Sequence, residues 1–124
     1  MINQHTKHSP NKKQQSAIEH PPGPLMILAG AGTGKTFTLE NRIIFLIENY
    51  NVDPQHILSI TYTEKAAKEL KNRIIDQLGP KVHNMTVSTF HSFCFKLLKK
   101  FDNSLPQLLD QSEAIHMFLE RFDQ

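Results

Sequence analysis

The sequence is poor in the residues that build disulfide-linked, zinc-binding and membrane proteins. It has one cysteine, Cys94, and no tryptophan among its 124 residues. A lone cysteine cannot form an internal disulfide or complete a cysteine-based zinc site, and it fits a reduced, intracellular setting. No apolar run approaches the roughly 18–20 residues of a membrane-spanning helix, and the polar start of the chain lacks the apolar core of a signal peptide. The composition therefore predicts a cytoplasmic protein that does not use a membrane.

Strong charge of either sign is also missing. The formal net charge is +2, and charged residues make up 21% of the chain. This balance excludes a disordered acidic or basic tail, and it neither requires nor excludes a nucleic-acid partner. Hydrophobic residues make up 39%, which is enough for the core of one domain.

Short apolar runs alternate with amphipathic helical patterns along the chain. The predicted strands are residues 25–29, 57–62 and 85–88. The predicted helices that follow them are residues 36–49, 64–78 and 89–101. This alternation predicts an α/β fold, with a parallel sheet flanked by helices and ligands bound beyond the carboxyl ends of the strands.

Capping residues and helix breakers set the predicted ends of these helices. Residues 11–20 form a further short predicted helix. Thr63 can cap the helix at 64–78, and Gly79 with Pro80 ends it. The residues expected to face inward from the helix at 89–101 are Phe90, Phe93, Cys94, Leu97 and Phe101. Residues 112–122 give a last amphipathic pattern.

The most informative segment is the glycine-rich stretch A-G-A-G-T-G-K-T at residues 29–36, between a predicted strand and a predicted helix. It follows the P-loop pattern G-x-x-x-x-G-K-[ST], with Ala29 in place of the first glycine. The glycines let backbone N–H groups approach an anion, and Lys35 supplies a charge for the β- and γ-phosphates. The Thr36 hydroxyl is placed to hold Mg²⁺. A plain glycine-rich turn is the alternative, but the strand before and the helix after favour a site for ATP with Mg²⁺. The predicted cofactor-binding residues of the loop are Ala29, Gly30, Ala31, Gly32, Thr33, Gly34, Lys35 and Thr36.

Four segments lie in a telling order along the chain, at residues 10–18, 29–36, 61–67 and 89–92. Together they resemble the N-terminal part of the first motor domain of UvrD/Rep/PcrA-like superfamily 1A DNA helicases. Residues 10–18, P-N-K-K-Q-Q-S-A-I, are similar to the Q motif, and the P-loop follows. Residues 61–67, T-Y-T-E-K-A-A, are similar to motif Ia, and residues 89–92, T-F-H-S, are similar to motif Ib. The resemblance spans residues 10–122, which is nearly the whole chain.

The resemblance implies roles for individual residues. Gln14 would read adenine, and Lys35 and Thr36 would take part in catalysis, with Thr36 as a ligand of Mg²⁺. The residues that would face single-stranded DNA are Thr61, Tyr62, Thr63 and His91. Without the resemblance, Gln14 would be interpreted as a surface glutamine and Tyr62 as a core residue at a strand end. Two departures stand out: Phe37 occupies a position where many members have arginine, and Glu64 replaces asparagine.

The resemblance also implies a RecA-like P-loop NTPase fold with a partial parallel sheet and a C-terminal helical extension. Residues 1–10 would be a flexible tail and residues 11–102 the partial ATP-binding domain, from the Q motif to motif Ib. Residues 103–124 would be a linker and the start of a helical subdomain.

The acidic D-E-x-x-D stretch that such motors use for Mg²⁺ and water is missing from the sequence. The hypothesis is therefore an ATP-binding fragment of an ATP-dependent 3′-to-5′ DNA helicase, inactive alone, whose parent couples hydrolysis to translocation. Its partners would be single-stranded DNA, bound weakly, the remainder of the motor, and further copies through uncovered apolar surface. The alternatives are a self-contained, kinase-like P-loop enzyme and a non-catalytic module that binds nucleotide or DNA. The order of the four motifs favours the helicase.

Overall fold

A computed structural model describes residues 9–102 and 104. The helices are α1 Lys12–Ile18, α2 Lys35–Asn49, α3 Glu64–Leu78 and α4 Phe90–Phe101, and the strands are β1 Leu58–Thr61 and β2 Thr86–Thr89. Two 3-10 turns, Pro54–His56 and Gly79–Val82, precede the strands. The chain divides into two compact units, Met1–Phe90 and His91–Gln124. Most of the predicted tail, and the helix predicted at 112–122, lie outside the described residues.

The predicted cap and end of the helix at 64–78 are confirmed, whereas the first helix, predicted at 11–20, spans Lys12–Ile18. The Asn11 side chain accepts the Gln14 N–H at 2.9 Å, and the Gln14 side chain accepts the Asn11 N–H at 2.9 Å. This reciprocal pair is a capping box, which satisfies N–H groups at the start of α1. Thr63 caps α3 through the Ala66 N–H at 3.1 Å, and Gly79 ends that helix with φ 74°.

The sheet contains two parallel strands in the described part of the chain. Leu58 of β1 lies opposite Thr86 of β2, and Thr61 lies opposite Thr89. The connection between them is α3, which contacts both strands. The predicted parallel pairing is thus confirmed for the second and third of the three predicted strands.

The prediction of a strand at residues 25–29 was wrong. This segment belongs to no sheet, and the side chains of Met26 and Leu28 are 82% and 90% exposed. A central parallel strand needs neighbouring strands to pair with and helices to cover its faces. Among the described residues, β1 and β2 pair only with each other, so this apolar run has no strand beside it.

The core of the first unit lies between α2, α3 and the segment that leads into β2. Ile43 and Ile47 of α2 meet Leu70 and Ile74 of α3, and Val82 and Met85 complete the cluster. Ile74 is completely buried. Burying a side chain of this size contributes about 1.5–3 kcal/mol, so the cluster fixes α2 and the loop from which it starts.

A buried carboxylate adds a polar link between the same two helices. Glu40 of α2 is 6% exposed and lies 3.7 Å from the Arg73 guanidinium of α3. The Gln77 side-chain amide of α3 also donates to Glu40. Because a buried charge is tolerated only with partners, Arg73 and Gln77 account for its position.

Helix α4 does not bury the apolar stripe that the sequence predicts for it. None of its residues is buried, and Phe90, Leu97 and Phe101 are 64%, 44% and 80% exposed. An amphipathic helix buries its stripe only where another element packs on it. The predicted self-association through uncovered apolar helix surface stays a prediction.

None of the helices in the described part of the chain combines the length and apolar character that crossing a membrane requires.

Candidate nucleotide-binding site

The glycine-rich loop is a tight turn that ends at the first residue of α2. Gly34 is the N-cap of α2 and adopts a left-handed conformation with φ 81°, and Gly32 has φ 71°. The Thr33 hydroxyl donates to the Gly30 carbonyl at 2.8 Å and closes the turn. Residues other than glycine adopt positive φ at a cost, which explains why glycine occupies these two positions. The first N–H groups of α2 have no acceptors within the helix, so they are available as donors to an anion.

The Lys35 side chain folds back over this loop. Its Nζ lies 3.1 Å from the Gly30 carbonyl oxygen and 3.4 Å from that of Ala29. The ammonium group therefore adds its charge to the positive end of the α2 dipole. Charge, dipole and unpaired N–H groups converge at the point where the sequence predicts the phosphates.

Two threonines of α2 have different surroundings. Thr36 is exposed, whereas Thr38 is buried and donates its hydroxyl to the Gly34 carbonyl at 3.0 Å. Within the described ranges, no group of three or more His, Cys, Asp or Glu side chains is placed to hold a metal ion. A magnesium ion here would take the Thr36 hydroxyl and phosphate oxygens of a nucleotide as ligands, which suits an ion that keeps few protein ligands.

Gln14 lies beside the loop, as its predicted role requires. Its Nε2 donates to the Thr33 carbonyl at 3.0 Å, while its Oε1 accepts the Asn11 N–H. A primary amide has two donors and two acceptor lone pairs, so one of each remains for a base edge. A Cβ at position 34 would lie 2.8 Å from Gln14 Nε2. The close approach of the Gln14 side chain to the loop therefore also depends on the glycine at position 34. Adenine contact by Gln14 stays a prediction.

A cavity of about 270 Å³ lies between α1, the extended segment before the loop, and α2. Its walls are formed by Asn11, Lys13, Gln14, Ala17, Ile27, Leu28, Ala29, Gly30, Thr33, Lys35 and Thr38. Apolar walls with a few polar groups are typical of small-molecule sites. The cavity lies next to the glycine-rich loop and combines apolar and polar lining residues.

Sequence reasoning missed several of these lining residues. Lys13, Ala17 and Thr38 had no assigned role, and Ile27 and Leu28 were assigned to a buried strand. The capping-box spacing from Asn11 to Gln14 is a signal that sequence alone contains. No comparable signal identifies the others, because they meet only after α1 packs against α2.

The predicted DNA-facing residues fall into two groups. Thr61, Tyr62 and Thr63 share one turn at the carboxyl end of β1, where the Thr61 hydroxyl donates to the Thr63 carbonyl at 3.0 Å. Tyr62 is 99% exposed and is therefore not the core residue of the alternative interpretation. His91 is exposed in the first turn of α4 and belongs to the second unit.

Glu64, which replaces the asparagine of the resembling motif, has a hydrogen-bond partner in the first unit. The Thr89 hydroxyl at the end of β2 donates to its carboxylate at 2.7 Å. This bond links the middle of the segment that resembles motif Ia to the first residue of the segment that resembles motif Ib. Part of the negative charge of Glu64 is compensated by this bond.

The described part of the chain is an α/β structure in which a glycine-rich loop leads into α2, which is compatible with part of a helicase motor domain. Residues 10–120 match the family described as the UvrD/REP helicase N-terminal domain. The chain therefore belongs to this family.

Relatives of known name share the same part of the chain. Over 90 residues, or 73% of this chain, it is 46% identical to the ATP-dependent DNA helicase PcrA of Bacillus subtilis. The proteins of the same name from Staphylococcus epidermidis and Staphylococcus aureus are 44% and 42% identical over the same length. The matched segment covers 12% of the length of each of these relatives.

Proposed function

We propose that this chain binds ATP with Mg²⁺ as part of the first, RecA-like motor domain of an ATP-dependent DNA helicase. The observation that carries the proposal is the position of the Lys35 ammonium, 3.1 Å from the Gly30 carbonyl of the glycine-rich loop that leads into α2. The names of the relatives support it, since they are ATP-dependent DNA helicases. Residues 11–102 would form the partial ATP-binding domain, and residues 103–124 would begin a helical subdomain.

Each residue of the site would have a separate task in holding the nucleotide. N–H groups of the loop bind phosphate oxygens, while Lys35 balances charge on the β- and γ-phosphates. Thr36 would hold Mg²⁺ through its hydroxyl, and the ion would supply positive charge next to the phosphates. Gln14 offers a donor and an acceptor to the adenine edge beside the cavity. In the complete motor, we propose that these contacts couple hydrolysis to 3′-to-5′ movement along single-stranded DNA.

The test of ATP binding is a calorimetric titration of the 124-residue chain with ATP and Mg²⁺, together with an assay for released phosphate. We expect saturable binding and negligible hydrolysis, because the sequence contains no D-E-x-x-D stretch to hold the metal and activate water. Robust turnover would contradict the proposal and favour a self-contained P-loop enzyme. Absence of any binding by folded protein would remove the nucleotide site altogether.

For DNA, we propose that Tyr62 stacks on a base of a single strand. Replacing Tyr62 by alanine is expected to weaken binding of a labelled oligothymidine about tenfold, since stacking on an aromatic ring contributes about 1–3 kcal/mol per base. The measurement is fluorescence anisotropy at low salt, because electrostatic contacts to phosphates weaken as salt rises.

Two variants serve as controls for this experiment. Tyr62→Phe keeps the ring and should bind as the original chain does. Tyr50→Ala removes the other tyrosine, which is 43% exposed and packs edge-on against Phe45, and should leave DNA binding unchanged. Equal losses in Tyr62→Ala and Tyr50→Ala would show that the effect is one of folding and not of stacking.

A further inference from the structure

Arg42 makes a connection that neither the motifs nor the P-loop chemistry explains. It lies on α2 and is only 9% exposed, and its side chain reaches the end of α1. Its Nη1 donates to the Ile18 carbonyl at 2.8 Å and also to the His20 carbonyl. Its Nη2 donates to the Pro21 carbonyl at 3.1 Å. One guanidinium group thus holds three backbone carbonyls within four residues, at the end of α1 and just beyond it.

The three carbonyls are suited to a cation. Ile18 is the last residue of α1, so its carbonyl has no partner within the helix and lies at the negative end of the helix dipole. The carbonyls of His20 and Pro21 follow the helix. The planar guanidinium presents several N–H donors in a fixed fork, so it can satisfy separate acceptors at once, whereas an ammonium group acts as a point charge. Arg42 therefore fixes both the distance and the orientation of the end of α1 relative to α2.

Helix α1 depends on such contacts for its position. It has only seven residues, fewer than an isolated helix needs to be stable in water. Its single buried residue is Ile18, next to the carbonyls that Arg42 holds. At its other end, Gln14 reaches the Thr33 carbonyl of the phosphate loop. The helix is thus held to α2 at its end by Arg42 and to the phosphate loop near its start by Gln14.

We infer that Arg42 is a positioning residue for recognition of the base, acting through α1 and Gln14 without touching the nucleotide. This inference rests on the proposed nucleotide site. The phosphate loop is closed by its own Thr33–Gly30 hydrogen bond and leads directly into α2, so it does not need Arg42. Removing Arg42 should therefore loosen the base side of the site and leave the phosphate side intact.

The test compares two ligands that share a triphosphate. Tripolyphosphate with Mg²⁺ probes the loop alone, and ATP with Mg²⁺ probes the loop and the base side together. In Arg42→Ala, affinity for ATP is expected to fall about tenfold, the effect of losing one or two charge-assisted hydrogen bonds, while affinity for tripolyphosphate changes less than about twofold. Arg42→Lys keeps the positive charge but loses the forked guanidinium donors. This variant should lose part of the preference for ATP over tripolyphosphate.

The matched control is Arg73→Ala. Arg73 also binds a residue of α2, since its guanidinium lies 3.7 Å from Glu40, but it has no hydrogen bond to α1 among the described contacts. This variant should leave the ratio of the two affinities unchanged. Circular dichroism shows which variants are folded, and if Arg42→Ala is unfolded, the Arg42→Lys protein decides the question.

The outcomes separate the inference from the function on which it rests. If the original chain binds neither ligand, the proposed nucleotide site fails. If it binds both ligands equally, or if the folded Arg42 variants keep the original ratio or lose both ligands equally, the inference is overturned while the phosphate site stands. A selective loss of ATP affinity in the Arg42 variants, with the ratio intact in Arg73→Ala, supports it.

Discussion

Replacing Lys35 by alanine is expected to reduce affinity for ATP with Mg²⁺ about 10- to 100-fold, because hydrogen bonds to charged groups contribute about 1.5–3 kcal/mol. The ammonium group lies over the phosphate loop, with Nζ 3.1 Å from the Gly30 carbonyl. Without it, the negative oxygens of a triphosphate would meet only loop N–H groups and the dipole of α2. Calorimetric titration of the two proteins measures the difference.

The stability of the Lys35→Ala protein should change by less than about 0.5 kcal/mol, since Lys35 is exposed and surface substitutions have effects of this size. The control is Lys65→Ala, which removes the same charge from α3, where Lys65 is exposed and lies 4.0 Å from Glu69. A similar loss of ATP affinity in both variants would mean that overall charge, and not the loop, attracts the nucleotide. Unchanged affinity in Lys35→Ala would contradict the site directly.

Replacing Gly34 by alanine is expected to lower the free energy of unfolding by about 2–3 kcal/mol. This value adds the cost of a left-handed conformation for alanine to the loss of one hydrogen bond. Gly34 has φ 81°, which any side chain makes costly. The added Cβ would also lie 2.8 Å from Gln14 Nε2, so the amide must leave the Thr33 carbonyl. Urea denaturation measures the change, and ATP affinity should fall with it.

Gly32→Ala is the matched control for this substitution. Gly32 has φ 71°, but a Cβ there would meet nothing within 4 Å. The free energy of unfolding of Gly32→Ala should therefore fall only by the cost of the left-handed conformation, about 1–2 kcal/mol. Equal losses of stability in the two variants would show that the Gln14 contact with the loop contributes nothing to the fold.

The helices, and the cap and end of α3, could be predicted from the sequence because their causes are local. Asn11 and Gln14 stand at capping-box spacing, Thr63 precedes a helical stripe, and Gly79 and Pro80 end it. The pairing of β1 with β2 followed from the alternation of strands and helices. These features depend on residues a few positions apart, which a sequence displays directly.

The segment at residues 25–29 shows where this reasoning fails. An apolar run of five residues signals burial, but burial depends on neighbours that its own sequence does not contain. In the described part of the chain no strand pairs with it, and Met26 and Leu28 are exposed. The prediction that the apolar stripe of α4 is buried was wrong for the same reason. The spacing of its apolar residues predicts a helix, but it does not show that another element covers that helix.

Some residues of the candidate site could likewise be identified from the sequence, and others only from the fold. Lys35 and the glycines are identified by spacing alone, because a phosphate loop is a local structure. Lys13 and Ala17 line the cavity, and Arg42 holds the end of α1, only because α1 packs against α2. Contacts between residues some 20 positions apart require the fold before they can be recognised.

The most direct measurement of the central claim is a titration of the isotope-labelled chain with ATP and Mg²⁺, followed by the amide signals in nuclear magnetic resonance spectra. The proposed site predicts saturable shifts that are largest for Gly30, Gly32, Gly34 and Lys35, with little change in the α3 core around Ile74. Unchanged amide signals of the loop at high ATP concentration, or signal shifts confined to α3 or α4, would contradict the proposed site.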